Sequence, residues 1–213
     1  MTGAHPKYTF RSRQRGRRIY KRTRTHHGLL PWLITAALAC TLTSVPTLDA
    51  QQSRPGEYQV KAAYLYNFGR FIEWPPKVAA AKDDSFTICV LGQDPFGSTL
   101  TATLADEAIK GKNVVAKRIA GPEDAVNCRI LFISSSEADR LKQILSTLKD
   151  ASVLTVSDLP LFSRQGGMVQ FTMEGNKVRF EVNLAKAERA GLTLSSELLK
   201  VAINVRRSAP LGD

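Results

Sequence analysis

After residue 50 the chain alternates short apolar runs with amphipathic stretches. Residues 85–92, SFTICVLG, and residues 129–134, RILFIS, are nearly continuous apolar runs of strand length. That is the pattern of strands covered on both faces. Residues 152–158, SVLTVSD, read as a further strand, and residues 112–119, KNVVAKRI, alternate weakly, as a strand nearer an edge does. Between them lie helical stretches. One is expected from Asp94-Pro95 to about Glu107, with Asp94 as cap and Pro95 in the first turn. A second starts at Ser135 or Ser136 and runs to about Lys149, with Leu141, Ile144, Leu145 and Leu148 on one face. Residues 167–174 and 177–183 then alternate with period two across Gly175-Asn176, a β-hairpin signal. A short helix over residues 185–190 stops at Gly191, and Ser195-Ser196 caps a last helix to about Val205. The pattern predicts a single three-layer α/β domain over residues 51–213. Its mixed sheet is flanked by helices and closed by a C-terminal hairpin and short helices.

The segment from Glu57 to Pro75, EYQVKAAYLYNFGRFIEWP, is the densest in aromatics. It holds Tyr58, Tyr64, Tyr66, Phe68, Phe71 and Trp74, six of the twelve aromatics that follow residue 50. Val60, Ala63, Tyr64, Phe68, Phe71 and Ile72 fit one helical stripe, which makes Val60, Tyr64, Phe68 and Phe71 the expected core face. Tyr66, Asn67, Arg70 and Trp74 share another side, and an arginine among large aromatics is the composition of a binding anchor. These four are the candidate contact residues for a partner or a second copy of the chain. The plainer reading of the same segment is a core helix wrapped by the rest of the domain.

The first fifty residues have the order of an export signal. Nine basic residues between Lys7 and Arg24 precede an apolar run over residues 29–42, and cleavage is expected near Ala50. Lipid anchoring at Cys40 is a minor alternative. The leader changes the meaning of the charge. The whole chain carries +11, but nine of its 30 basic residues and one of its 19 acidic residues precede residue 51. The remaining 21 and 18 leave +3, which gives no case for nucleic-acid binding.

All three histidines, His5, His26 and His27, lie in the leader. Ser-His-Asp and Cys-His catalysis and histidine metal sites are therefore closed to the rest of the chain. No catalytic residue, metal or cofactor is expected. Cys89 and Cys128 form an even pair in an exported domain and read as a disulfide, with two buried free thiols as the alternative. The acidic pairs Asp83-Asp84 and Glu123-Asp124 fall in polar, turn-like stretches. Ser134-Ser135-Ser136 stands where a strand gives way to a helix, a place that could hold an anion but that capping alone explains.

Several of these phrases occur together, in order, in a known family. VKAAYLYNFGRFIEWP from Val60, FTICVLGQDPFG from Phe86, CRILFISSSE from Cys128 and VLTVSD from Val153 resemble the YfiR-like periplasmic proteins. So do QGGMVQF from Gln165 and VRFEVNLAKAERAGLTLSSELLKVA from Val178. The resemblance implies a periplasmic, non-enzymatic regulator that restrains a membrane signalling protein, such as a diguanylate cyclase or sensor kinase, through its periplasmic part. It carries over no catalytic residue. Some relatives have a further cysteine pair in the second half, which this chain lacks. A small-ligand-binding accessory of the envelope, with its pocket at the carboxyl ends of the strands, is the alternative.

Overall fold

The computed structural model describes residues 56–79 and 85–207. Residues 1–55, with the expected leader and Cys40, and Asp83-Asp84 lie outside the described residues. Helix α1 (Glu57–Phe71) leads into a two-residue strand β1 (Ile72–Glu73) and a single turn α2 (Pro76–Ala79). Then come β2 (Ser85–Leu91), α3 (Ser98–Leu104), β3 (Ala108–Ile109), β4 (Lys112–Ile119) and β5 (Ile130–Ile133). A 3-10 turn, Ser135–Arg140, runs into α4 (Leu141–Thr147), followed by β6 (Leu154–Ser157). The hairpin β7 (Val169–Glu174) and β8 (Lys177–Asn183) precedes α5 (Leu184–Arg189), β9 (Thr193–Leu194), α6 (Ser196–Val201) and β10 (Asn204–Arg206).

Eight strands form one mixed sheet in the order β10-β8-β7-β6-β5-β2-β4-β3. The pairs β4–β2, β2–β5, β5–β6 and β6–β7 are parallel, and β7–β8 is antiparallel. Side chains alternate between two cores, as a strand covered on both sides requires. On β5, Ile130 and Phe132 join the core beneath α1 and α3, whereas Leu131 and Ile133 join the core beneath α4. That is the expected three-layer α/β architecture.

Several boundaries move for local reasons. Gly97 takes φ +57, so α3 starts only at Ser98; Asp94 instead caps the turn before it, accepting from Phe96 N at 2.8 Å. The helix expected from residue 135 to 149 is a 3-10 turn followed by an α-helix. Glu123-Asp124 lies in a 3-10 helix, Pro122–Asn127, where a turn was expected. The last helix ends at Val201, and β10 adds to β8 in parallel.

Candidate functional site

The first helix is the site on which the sequence placed its contact residues. Phe68 is fully buried, and its ring centroid lies 5.1 Å from Phe180 and 5.8 Å from Phe171 of the hairpin. Tyr64 meets the same two rings at 5.4 and 5.9 Å. Gly69 lets the helix approach β2, since a Cβ there would lie 2.9 Å from the Phe86 ring.

The buried face is Lys61, Ala62, Leu65, Phe68 and Gly69, continuing to Ile72. It is turned from the expected stripe by about one residue step, roughly 100°. Two residues are corrected by this. Ala63 and Phe71 were expected to face inward, but both are exposed, Phe71 at 38%. Val60 is half-buried. The rotation has a cause that hydropathy does not count. Lys61, only 2% exposed, places its Nζ 2.7 Å from Asp158 Oδ2 and 2.5 Å from Glu57 Oε1. It also lies 4.3 Å from the Tyr58 ring centroid. The Tyr58 hydroxyl donates to the same Asp158 oxygen at 2.9 Å. Burial, then the hydrogen bond to Asp158, pushes the Tyr58 phenol well above its ordinary range. Two carboxylates and a ring face thus replace water around a buried ammonium.

This cluster ties α1 to the end of β6 across nearly a hundred residues. Asp158→Ala removes the shared acceptor but leaves Glu57 on the ammonium. The expected loss is about 2–3 kcal/mol in urea unfolding, less than for a fully orphaned charge. Adding Lys61→Met to that variant should recover part of the loss, because the ammonium is then gone.

Of the four candidate contact residues, three lie on α1 and Trp74 lies beyond it. Tyr66 and Asn67 are half-buried and Arg70 is exposed. Tyr66 donates its hydroxyl to Glu107, and that hydrogen bond, with some burial, raises its pKa. The Arg70 guanidinium lies 5.8 Å from the Tyr66 ring and 6.0 Å from the Phe71 ring. Trp74 is no longer on the helix. It follows β1 and packs edge-on against Phe86 at 5.3 Å, with Nε1 buried and without a partner among the described residues. The surface that the structure assembles is therefore Tyr66, Arg70 and Phe71. An exposed Phe71 beside Arg70 was the missed member, hidden by its fit to the apolar stripe.

At the carboxyl ends of the parallel strands the space is largely filled by protein. Ser136 Oγ accepts from Gln93 N at 2.9 Å, Ser134 caps the turn that follows it, and Glu137 pairs with Arg140. Arg118 closes on Asp94, and the gap beside them holds about 40 Å³. Beneath the other face, Cys89 of β2 is joined to Cys128, their Cα atoms 5.9 Å apart and both side chains buried. Among the described residues no group of three metal-ligating side chains comes together. No helix among them is long and apolar enough to cross a membrane.

A family model described as YfiR/HmsC-like matches residues 58–203. Among solved structures, a conserved domain protein from Vibrio cholerae O1 biovar El Tor is similar at 10% identity and a TM-score of 0.50. The match covers 70% of this chain and 60% of that one. The ABC domain from Streptococcus pneumoniae in complex with L-Trp follows at 12% identity and a TM-score of 0.44. That match covers 60% of this chain and 59% of that domain, too loose a likeness to bear on the fold. The chain thus spans about six-tenths of the length of each.

Proposed function

This chain belongs to the YfiR/HmsC-like family, and on that premise we propose that it restrains a membrane-bound signalling protein by binding its periplasmic part. A diguanylate cyclase is the partner class in view, with a sensor kinase next. The proposed protein is a regulator and has no catalytic role. It works outside the cytoplasm after removal of the first fifty residues.

One observation carries the reading: the outer face of α1 presents Arg70 and Phe71 side by side, with Tyr66 held beneath by Glu107. The core does not use Phe71, and an exposed aromatic beside an arginine is the composition of an energetic anchor. The disulfide fits an oxidising compartment.

The test uses cells lacking the chain, complemented with variants and read by a cyclic di-GMP reporter. The wild-type chain should lower the signal. Arg70→Ala and Phe71→Ser should each fail to lower it, while staying within about 1 kcal/mol of wild-type stability, as partly exposed substitutions do. Stable variants that still lower the signal would move the interface elsewhere.

A further inference from the structure

We infer that the cleft between α4, α5 and the turn before β7 binds a small phosphate-bearing anion. The cleft arises from the sheet. β7 pairs with β6 only through Val156↔Val169 and Ser157↔Gln170. The first half of β6 therefore has no strand beside it on that side. Met168 N turns instead to the Thr155 hydroxyl, at 3.1 Å. The opening left there holds about 280 Å³, close to the lower end of small-molecule sites.

Its charge is one-sided. Lys142 and Lys149 come from α4 and its exit, and Lys186 and Arg189 come from α5. No aspartate or glutamate lines the cleft. Several surface cations outside the cleft are paired with a carboxylate: Arg118 with Asp94, Arg140 with Glu137, Arg179 with Glu174. Among the described residues Lys142, Lys186 and Arg189 have no such carboxylate, and exposed Lys149 reaches only its neighbour Asp150 at 3.9 Å. A chain that is only +3 after residue 50 has no general excess to scatter here. Four like charges around one concavity repel each other, and a bound anion relieves that repulsion.

The most enclosed of the four is Lys186, which is half-buried. Its stem crosses Gly166, where a Cβ would lie 3.7 Å from Lys186 Cε and 3.9 Å from Nζ. Gly166 holds φ +106, so the turn keeps a bare backbone under the ammonium. Leu145, Leu148 and Met168 add an apolar wall. Several lysine point charges and one arginine fork suit a multivalent oxyanion better than a single carboxylate, and the wall suits a small apolar body attached to it. The concave shape favours a free phosphoester over a lipid headgroup. The cleft touches both cores, through Leu148 on the α4 side and Met168 and Ala190 on the α1 side, but it shares no residue with Tyr66, Arg70 and Phe71, so either reading can fail without the other.

The experiment titrates the folded protein with phenyl phosphate at low ionic strength by calorimetry. In parallel, it is sedimented with phosphatidylglycerol and phosphatidylcholine vesicles. Lys186→Gln/Arg189→Gln is compared with Lys177→Gln/Lys200→Gln, which removes the same charge from exposed positions outside the cleft. We expect one saturable site for phenyl phosphate. It should be weakened at least about tenfold in the cleft variant, as for loss of charge-assisted hydrogen bonds, and be unchanged in the control. Saturable binding to phosphatidylglycerol vesicles alone, lost in the cleft variant only, would keep the phosphate site and make a lipid headgroup its source. No saturable binding in either arm, or equal binding by the two variants, would overturn it.

Discussion

Phe68→Ala is expected to lose about 3–5 kcal/mol in urea unfolding, whereas Phe71→Ala, three residues away, is expected to lose less than about 1 kcal/mol. The difference follows from packing alone. Phe68 is fully buried, stacked on Phe171 and set edge-on to Phe180, and its truncation empties space that rings on three elements enclose. A cavity of that kind collapses poorly, because the hairpin fixes the facing rings from behind. Phe71 stands 38% exposed, with the Arg70 guanidinium 6.0 Å from its ring. Equal losses for the two variants would mean that α1 buries both sides, and the proposed contact surface would then be core.

Removing the disulfide, as Cys89→Ala/Cys128→Ala, is expected to cost about 4 kcal/mol. The bond spans a separation of 39 residues, and the chain-entropy treatment assigns roughly that value to a loop of such length. Against a typical domain stability of about 5–15 kcal/mol, the loss would leave a marginal fold. The bond joins β2 to Cys128, two residues before β5, so the enclosed loop contains α3, β3 and β4, one whole edge of the sheet. Denaturant unfolding of the double variant and of the wild-type chain with and without reductant measures the effect. A loss under about 1 kcal/mol in both comparisons would show that native packing, and not loop closure, holds that edge.

The elements that were legible from sequence are those whose burial is independent of distant partners. β2, β5 and β6 are covered on both faces and so are apolar throughout, and the β7–β8 turn declares itself through Gly175 at φ +58. The face of α1 was misread because Lys61 counts as polar in any periodicity. Its burial depends on Asp158, which is 97 residues further on. Only the folded sheet brings them together, and with Lys61 turned inward Phe71 must turn out. Trp74 looked like a continuation of the helix but lies beyond β1, which pairs antiparallel with β9. The cationic cleft was illegible for a similar reason, since its charges come from two helices separated by three strands. Solvated charges at those positions would produce the same sequence.

The pairing of β1 with β9 sets an order of events for the nascent domain. α1 is its first described element, and although Phe86, Phe96 and α3 are made soon after it, the Phe171 and Phe180 rings and the residues around Leu194 that complete its cover are among the last to be made. A chain that emerges from its amino end must therefore carry an aromatic-rich helix with its cover incomplete until almost all of the domain is available. Contacts of such long sequence separation slow the search for the native topology, because loop closure comes before any gain from packing. Until then α1 is a ready substrate for any holding chaperone it meets. Truncation near the carboxyl end would leave it permanently so.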